Sequence, residues 1–589
     1  MGRLFSCFLP SSRHWWPLDM QLYRRANRDP PSRTLRSRCQ QAYLRHNQPW
    51  GGMMSTAQPN FLFIITDQHR ADHLGAYGNK IVQTPHIDRV AARGLTFNNF
   101  YVSCPICMPN RATLMTGRLP SVNGVLSNGL SLPWDSNTFV HMLRNVGYRT
   151  ALLGKSHLQN VAPLRVDDWN YPPARDGAIP PLDDYSDAYL SVRQGKIYEN
   201  ERRDLWEQNL DREIVSPYYG FEKVRLASGH GDRVGGAYKK WMLSQDKNGN
   251  AYVGPENALP DDRFSAPLAW RTQVPEELYS TTFVEQETIN YLENHVEEGS
   301  SNPFFIQCSF PDPHHPFTPP GRYWGMYDPA DCEASASINS TPHDPPPFRE
   351  MLWDEFRQNN REHRVAAYAV TEQEARESVA LTYGMISFVD DAIGRILGTL
   401  DDLGMAENTV IVFTSDHGDL MGDHGLMLKH CFHNDGLIRA PFIWSDPDAG
   451  DTSARTDLLS GTIDIAASVM GRAGVQPYHG IQGFDSVSAA RAGDDLPRLG
   501  LLIEEDELPV NANCRTYLRT RSFVTERWRL TYWMEHAFGE LYDRLNDPLE
   551  LNNLWNDPTA AADKSVMLEM MMRERIAHDE MAPRAVMSA

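Results

Sequence analysis

Phe61-Leu62-Phe63-Ile64-Ile65-Thr66, followed at once by Asp67-Gln68-His69-Arg70-Ala71-Asp72, is an unbroken apolar run of strand length that ends in polar residues. An unbroken run, as opposed to an alternating one, is what a parallel strand covered on both faces requires. A second such run, Asn408-Thr409-Val410-Ile411-Val412-Phe413-Thr414-Ser415, ends in Asp416-His417-Gly418-Asp419. Two further segments read as strands: Pro303 to Phe310, ending in Pro311-Asp312-Pro313-His314-His315-Pro316-Phe317, and Tyr148 to Leu153, ending in Gly154-Lys155-Ser156-His157-Leu158. Helical patterns separate them: Thr84-Pro85 onward, Asn137 to Val146 with Gly147 closing it, Pro275 to about His295, and Thr371 to about Leu403 with Gly404 closing it. Strands alternating with helices read as an α/β fold. In open α/β sheets ligands gather at the carboxyl ends of strands. Asp67 and Gln68 therefore stand where oxygen ligands for a hard cation are wanted, with Asp416 and His417 at an equivalent place. Plain strand-ending turns are the other reading of the same residues.

The stretch Ser103-Cys104-Pro105-Ile106-Cys107-Met108-Pro109-Asn110-Arg111, running into Ala112-Thr113-Leu114-Met115-Thr116-Gly117-Arg118, puts a sulfur and a guanidinium at one helix N-terminus. Free backbone N–H groups and the helix dipole make that end attractive to anions. From the residues alone Cys107 is either a low-pKa nucleophile or a buried cysteine in an ordinary helix. The run Cys107 to Gly117 resembles the C-x-P-x-R signature of the type I sulfatases. Gly154-Lys155-Ser156-His157 resembles their G-K-x-H signature, His314 falls in their P-H-x-P, and Glu540-Leu541-Tyr542-Asp543 with Asp547-Pro548-Leu549-Glu550 resembles their C-terminal signature. Only Cys107 has Pro and Arg at the second and fourth following positions; Asn110 stands where the family usually has Ser or Ala. The resemblance covers about residues 58–558.

It implies an alkaline-phosphatase-like arrangement: a large central, mostly parallel sheet flanked by helices, with a smaller C-terminal α+β subdomain. It also implies conversion of Cys107 to formylglycine by a formylglycine-generating enzyme, and hydrolysis of a small-molecule sulfate ester. Asp67, Gln68, Asp416 and His417, with residue 107, would hold one divalent metal ion. Oxygen ligands favour Ca²⁺, while an imidazole ligand moves the balance toward Mn²⁺. Arg111 and Lys155 would hold the formylglycine and balance the anion, His157 would take a proton, His314 with Lys429 would serve the leaving oxygen, and Asn128 would contact the anion. Gln68 in place of a second Asp resembles the branch containing choline sulfatases and phosphonate monoester hydrolases. A phosphonate monoester hydrolase or phosphodiesterase, and a non-catalytic relative with an unmodified cysteine, are the competing readings. In an extended segment Lys155 and His157 would share one face.

The chain has 589 residues, 41% hydrophobic and 22% charged, which suits a globular enzyme larger than one small core. A formal charge of −20 argues against nucleic acid as a partner. Scattered cysteines read as reduced thiols, and no apolar run approaches the roughly 20 residues of a membrane span, so a cytoplasmic location is expected. Residues 1–53 carry nine Arg and no Lys or Glu, and read as a disordered extension or an over-extended start before Met54. The expected organisation is a catalytic domain over 54–445 and a smaller subdomain over 446–589 that ends in a Met-rich helix and tail, read either as simple packing or as a contact between copies. Residues 160–275, rich in Pro, Asp, Trp, Tyr and Gly, read as a loop-rich insertion that selects substrate.

Overall fold

The computed structural model describes residues 58–163, 193, 195–361, 366–450, 453–507, 518–534 and 536–579. The extension over 1–53 and part of the 160–275 insertion lie outside them.

Among the described residues nine strands form the large sheet: β1 (Asn60–Thr66), β2 (Leu95–Phe97), β3 (Arg149–Gly154), β4 (Lys223–His230), β5 (Arg233–Gly236), β6 (Phe304–Ser309), β7 (Thr409–Ser415), β8 (Phe442–Ser445) and β9 (Ala454–Thr456). Their order is β9-β2-β8-β7-β1-β6-β3-β4-β5. The central five, β7 through β4, run parallel, with Phe61 beside Phe305 and Thr66 beside Ser415. The antiparallel pairings lie toward the edges. β1 shows why the apolar runs are unbroken. Phe61, Phe63 and Ile65 enter one core, and Leu62 and Ile64 enter the other. On the first side lie α1 (Cys107–Thr116), α2 (Phe139–Asn145) and α5 (Ile465–Arg472); on the second lie α3 (Ser280–Glu297) and α4 (Glu372–Asp402). Each fully buried Phe, Ile or Leu contributes about 1.5–3 kcal/mol, so a strand with five of them is held at the centre of three layers.

Several expected elements shift. The helix after Pro275 begins at Ser280: Glu276–Leu278 make a separate turn, and Tyr279 is extended before the helix starts. The helix at Thr371 matches its pattern, with the Thr371 hydroxyl and the Glu374 carboxylate capping each other's backbone N–H. The insertion over 160–275 is less loop-like than its composition suggests, because β4 and β5 complete one edge of the large sheet. Asp232 and Trp270, within it, bond to each other locally.

The large sheet also runs past residue 445, since β9 pairs in parallel with β2. A second sheet of four antiparallel strands, β10 (Leu501–Glu507), β11 (Leu518–Val524), β12 (Trp528–Trp533) and β13 (Gly539–Asp543), follows further on. Its Ile503, Phe523 and Leu530 share a core with α1. No helix among the described residues is long and apolar enough to cross a membrane. The carboxyl ends of β1, β3, β4, β6 and β7 all open at one edge of the parallel sheet, and that edge is where the polar residues meet.

Candidate active site

Cys107 is the first residue of α1, and every residue of that helix is buried. Its Sγ lies 3.1 Å from His417 Nε2, 3.1 Å from the Lys429 ammonium and 3.9 Å from Asp67 Oδ1. Two polar side chains fix the start of α1. Asn128 Oδ1 accepts the Met108 N–H at 3.1 Å. Asn110 Oδ1 accepts from the Ser103 N–H at 3.0 Å and the Thr462 hydroxyl at 2.7 Å, while its amide nitrogen donates to the Asp416 carbonyl. The residue at the motif's fourth position thus ties the helix to the end of β7.

Asp67 and Asp416 leave adjacent strands and are bridged by Arg111, whose Nε donates to Asp416 at 2.7 Å and whose Nη2 donates to Asp67 at 3.2 Å. The Lys155 ammonium also bonds Asp67. These cations outweigh burial and hold the Asp67 carboxyl well below the usual range, whereas burial and the neighbouring Asp67 push Asp416 up. At Cys107 burial and Asp67 act to raise the thiol, but Lys429, His417 and Lys155 hold it well below its ordinary value. Cys104 behaves oppositely: burial and then Glu505 push its thiol well up. Of the two cysteines, only Cys107 sits in surroundings that favour a negative charge.

The residues fit a divalent ion on three counts. Ligand atoms of Asp67, Cys107, Asp416 and His417 all lie within 4.8 Å of one another. His417 Nδ1 donates to the Gly418 carbonyl at 2.8 Å, which leaves the Nε2 lone pair facing the cluster. Gln68 Nε2 bonds Asp419 and His315, yet its buried Oε1 has no partner among the described residues. A buried amide oxygen without a donor is costly in an apolar interior and suits a cation.

Around this cluster, Lys429 lies 3.1 Å from His314 Nε2. His314 faces the centre, and His315 turns to Gln68. Burial lowers the pKa of both rings well below the histidine value, His230 adding to the effect on His314 and Lys429 to that on His315. His157 departs from the extended path: its φ is +58°, so the alternation expected to align it with Lys155 is broken. The ring is buried, 6.2 Å from that of His230, and its Nδ1 has no partner among the described residues.

Sequence reasoning missed two residues here. His230, at the carboxyl end of β4, stacks on His314 at 3.6 Å and places Nε2 2.6 Å from the Lys155 ammonium. Its signal is the short run Lys223-Val224-Arg225-Leu226-Ala227-Ser228-Gly229-His230, a weak strand ending in a Gly-rich turn. Asp419 received no role, yet it accepts from Gln68 and from the Met421 and Leu428 N–H groups at 2.7 and 3.0 Å, linking the end of β7 to the loop that carries Lys429.

Comparison with known proteins places the chain among recognised families. The family model described as Sulfatase matches residues 59–475, and that described as N-sulphoglucosamine sulphohydrolase, C-terminal, matches residues 422–578. The chain is 26% identical over 515 residues to an arylsulfatase of Clostridium perfringens, covering 85% of this chain and 90% of the relative. It is 26% identical over 519 residues to a choline-sulfatase of Rhizobium meliloti, covering 87% and 86%. Among solved structures, a phosphonate monoester hydrolase of Agrobacterium radiobacter matches in fold with a TM-score of 0.65 at 24% identity, over 88% of this chain and 96% of that one.

Proposed function

The chain belongs to the sulfatase family of the alkaline-phosphatase superfamily and is a sulfuric ester hydrolase, and from that premise we propose that it cleaves a small-molecule sulfate ester with residue 107 as nucleophile, matured from cysteine to formylglycine. The observation that carries the reading is the position of Cys107, at a helix N-terminus and within reach of two carboxylates, an imidazole and an ammonium. Hydrated formylglycine supplies one hydroxyl to attack sulfur and a second whose collapse to the aldehyde releases sulfate. Asp67, Gln68, Asp416 and His417 would hold a divalent ion, which when bound would supply Lewis acidity beside residue 107.

The chain's own side chains do the rest. Arg111 holds the two carboxylates apart and oriented. Lys155 and Lys429 bring fixed positive charge toward the non-bridging oxygens, a preorganised stabilisation that needs no reorganisation during the reaction. His314, beside Lys429, is placed to serve the leaving oxygen, and the unpartnered Nδ1 of buried His157 is the acceptor for the proton lost as sulfate departs. Peptide mass spectrometry at position 107, together with hydrolysis of an aryl sulfate, tests the assignment. An unmodified thiol in fully active protein would contradict it, and an unmodified thiol in inactive protein would favour the non-catalytic reading.

Hydrolysis of phosphonate monoesters is the second reading, supported by the Asp-Gln and Asp-His ends of β1 and β7 and by the phosphonate hydrolase fold match. Lys155 decides between them. Its ammonium lies in the site against Asp67 and His230, where it suits the compact charge of a sulfate group. Lys155→Ala is expected to lower turnover of an aryl sulfate by about 10² to 10³, the cost of one preorganised stabilising group. Rates on the sulfate and phosphonate esters of one phenol check this. A loss confined to the phosphonate would reverse the ranking.

A further inference from the structure

Glu201 lies in the insertion, outside the machinery just described, yet it is 1% exposed, and three of its four hydrogen bonds lead back to the segment that follows β3. Its Oε2 accepts the His157 N–H at 2.8 Å, and its Oε1 accepts the Leu158 and Gln159 N–H groups, each at 2.9 Å. The Tyr218 hydroxyl donates to the same Oε1 at 2.6 Å, so four donors converge on one buried carboxylate. The surrounding chain is sewn to the same place. The Asn200 N–H donates to Gln159 Oε1 at 3.0 Å, and the Arg203 N–H to the Val161 carbonyl at 2.9 Å.

Three consecutive backbone N–H groups aimed at one carboxylate require a local path that an extended segment cannot supply. The chain meets that requirement at His157, whose left-handed backbone, φ +58°, is uncommon for a residue with a side chain. Such conformations persist only where their surroundings enforce them, and they gather at functional sites. The enforcing group here is an anion, whose hydrogen bonds to N–H donors are stronger than those of a neutral acceptor.

We propose that Glu201 is a positioning residue for His157: by clamping the 157–159 backbone it fixes the left-handed turn that keeps the His157 ring in the site. The proposal rests on the reading of His157 as proton acceptor in the second half of the reaction, and it assigns the insertion a task in catalysis besides substrate selection.

Glu201→Gln is a selective test. With the amide oxygen in place of Oε1, the bonds from Leu158, Gln159 and Tyr218 persist, and the His157 N–H alone loses its acceptor. In a two-step hydrolysis kcat/KM reports the first half and kcat the slower half, so impaired release lowers kcat and KM together. The expected result on an aryl sulfate is a fall in kcat of about tenfold or more, kcat/KM within about twofold of wild type, and a burst of phenol before the steady state. His157→Ala should show the same split at about 10² to 10⁴. Hydrogen exchange gives a readout apart from turnover: the His157 amide, in no helix or strand, should be protected in the wild type and exposed in Glu201→Gln. An unprotected His157 amide in the wild type would overturn the clamp. So would wild-type kcat in Glu201→Gln, or an equal fall in kcat and kcat/KM, while His157→Ala shows the split. Absence of the split in His157→Ala would instead sink the role given to His157.

Discussion

Replacing Cys107 with alanine is expected to lower kcat by on the order of 10⁶, the scale of loss when a covalent nucleophile is removed from a site whose other parts remain. Cys104→Ala should cost less than about tenfold, because that side chain neither reaches the cluster nor carries the charge pattern. The two thiols are three residues apart and both buried, so burial does not distinguish them. Their surroundings do: Cys104 lies toward Glu505, Asp506 and Glu504, while Cys107 faces Lys429, His417 and Lys155. A maturing aldehyde at 107 would find cations and a helix N-terminus; one at 104 would find carboxylates. Steady-state rates on an aryl sulfate, with circular dichroism to confirm that both variants fold, check the pair. Equal and complete loss in two folded variants would refute the choice of Cys107.

The central strands were legible because burial on both faces leaves little room for polar residues, so β1 and β7 announce themselves as apolar runs of strand length. The acids after β1 and β7 were legible for the same reason, since a polar residue that ends such a run must lie at the sheet's edge. β4 sits next to the sheet's edge and begins exposed, with burial starting only at Leu226, so its pattern dissolves into the Gly-rich and Pro-rich stretch around it and His230 stays hidden. The turn at His157 left no trace, because its cause is a carboxylate 44 residues away that bonds backbone, and backbone N–H groups are the same for every residue but proline. β9 was placed with the smaller subdomain because three residues, none of them buried, carry no pattern. Its membership in the large sheet comes from pairing with β2 rather than from its own composition.

Asp67→Asn and Asp416→Asn are expected to lose bound divalent ion and activity together. The two side chains leave adjacent parallel strands one residue beyond the Thr66 and Ser415 pairing, so both enter the same space. Each is shared, however, between an ion and Arg111, and those bonds alone would make both residues important to the fold. Breaking a buried pair costs about 3–5 kcal/mol by leaving a charge uncompensated, so lost activity by itself cannot separate ion binding from stability. Asparagine keeps the shape and one acceptor for Arg111 while removing the anionic oxygen that a hard cation needs. Loss of a Lewis acid worth several kcal/mol corresponds to a rate loss of roughly 10³ or more. Ion content by elemental analysis, activity and thermal unfolding should be measured on the same preparations. Asp419→Asn adds a discriminating case, because Asp419 touches none of the cluster's carboxylates but fixes Gln68 through its Nε2. If the orphaned Gln68 oxygen faces the ion, loosening its anchor should weaken ion affinity by about 10- to 100-fold. Stoichiometric ion in both folded Asn variants would show that the carboxylates serve Arg111 alone, and the acids at the ends of β1 and β7 would then be structural.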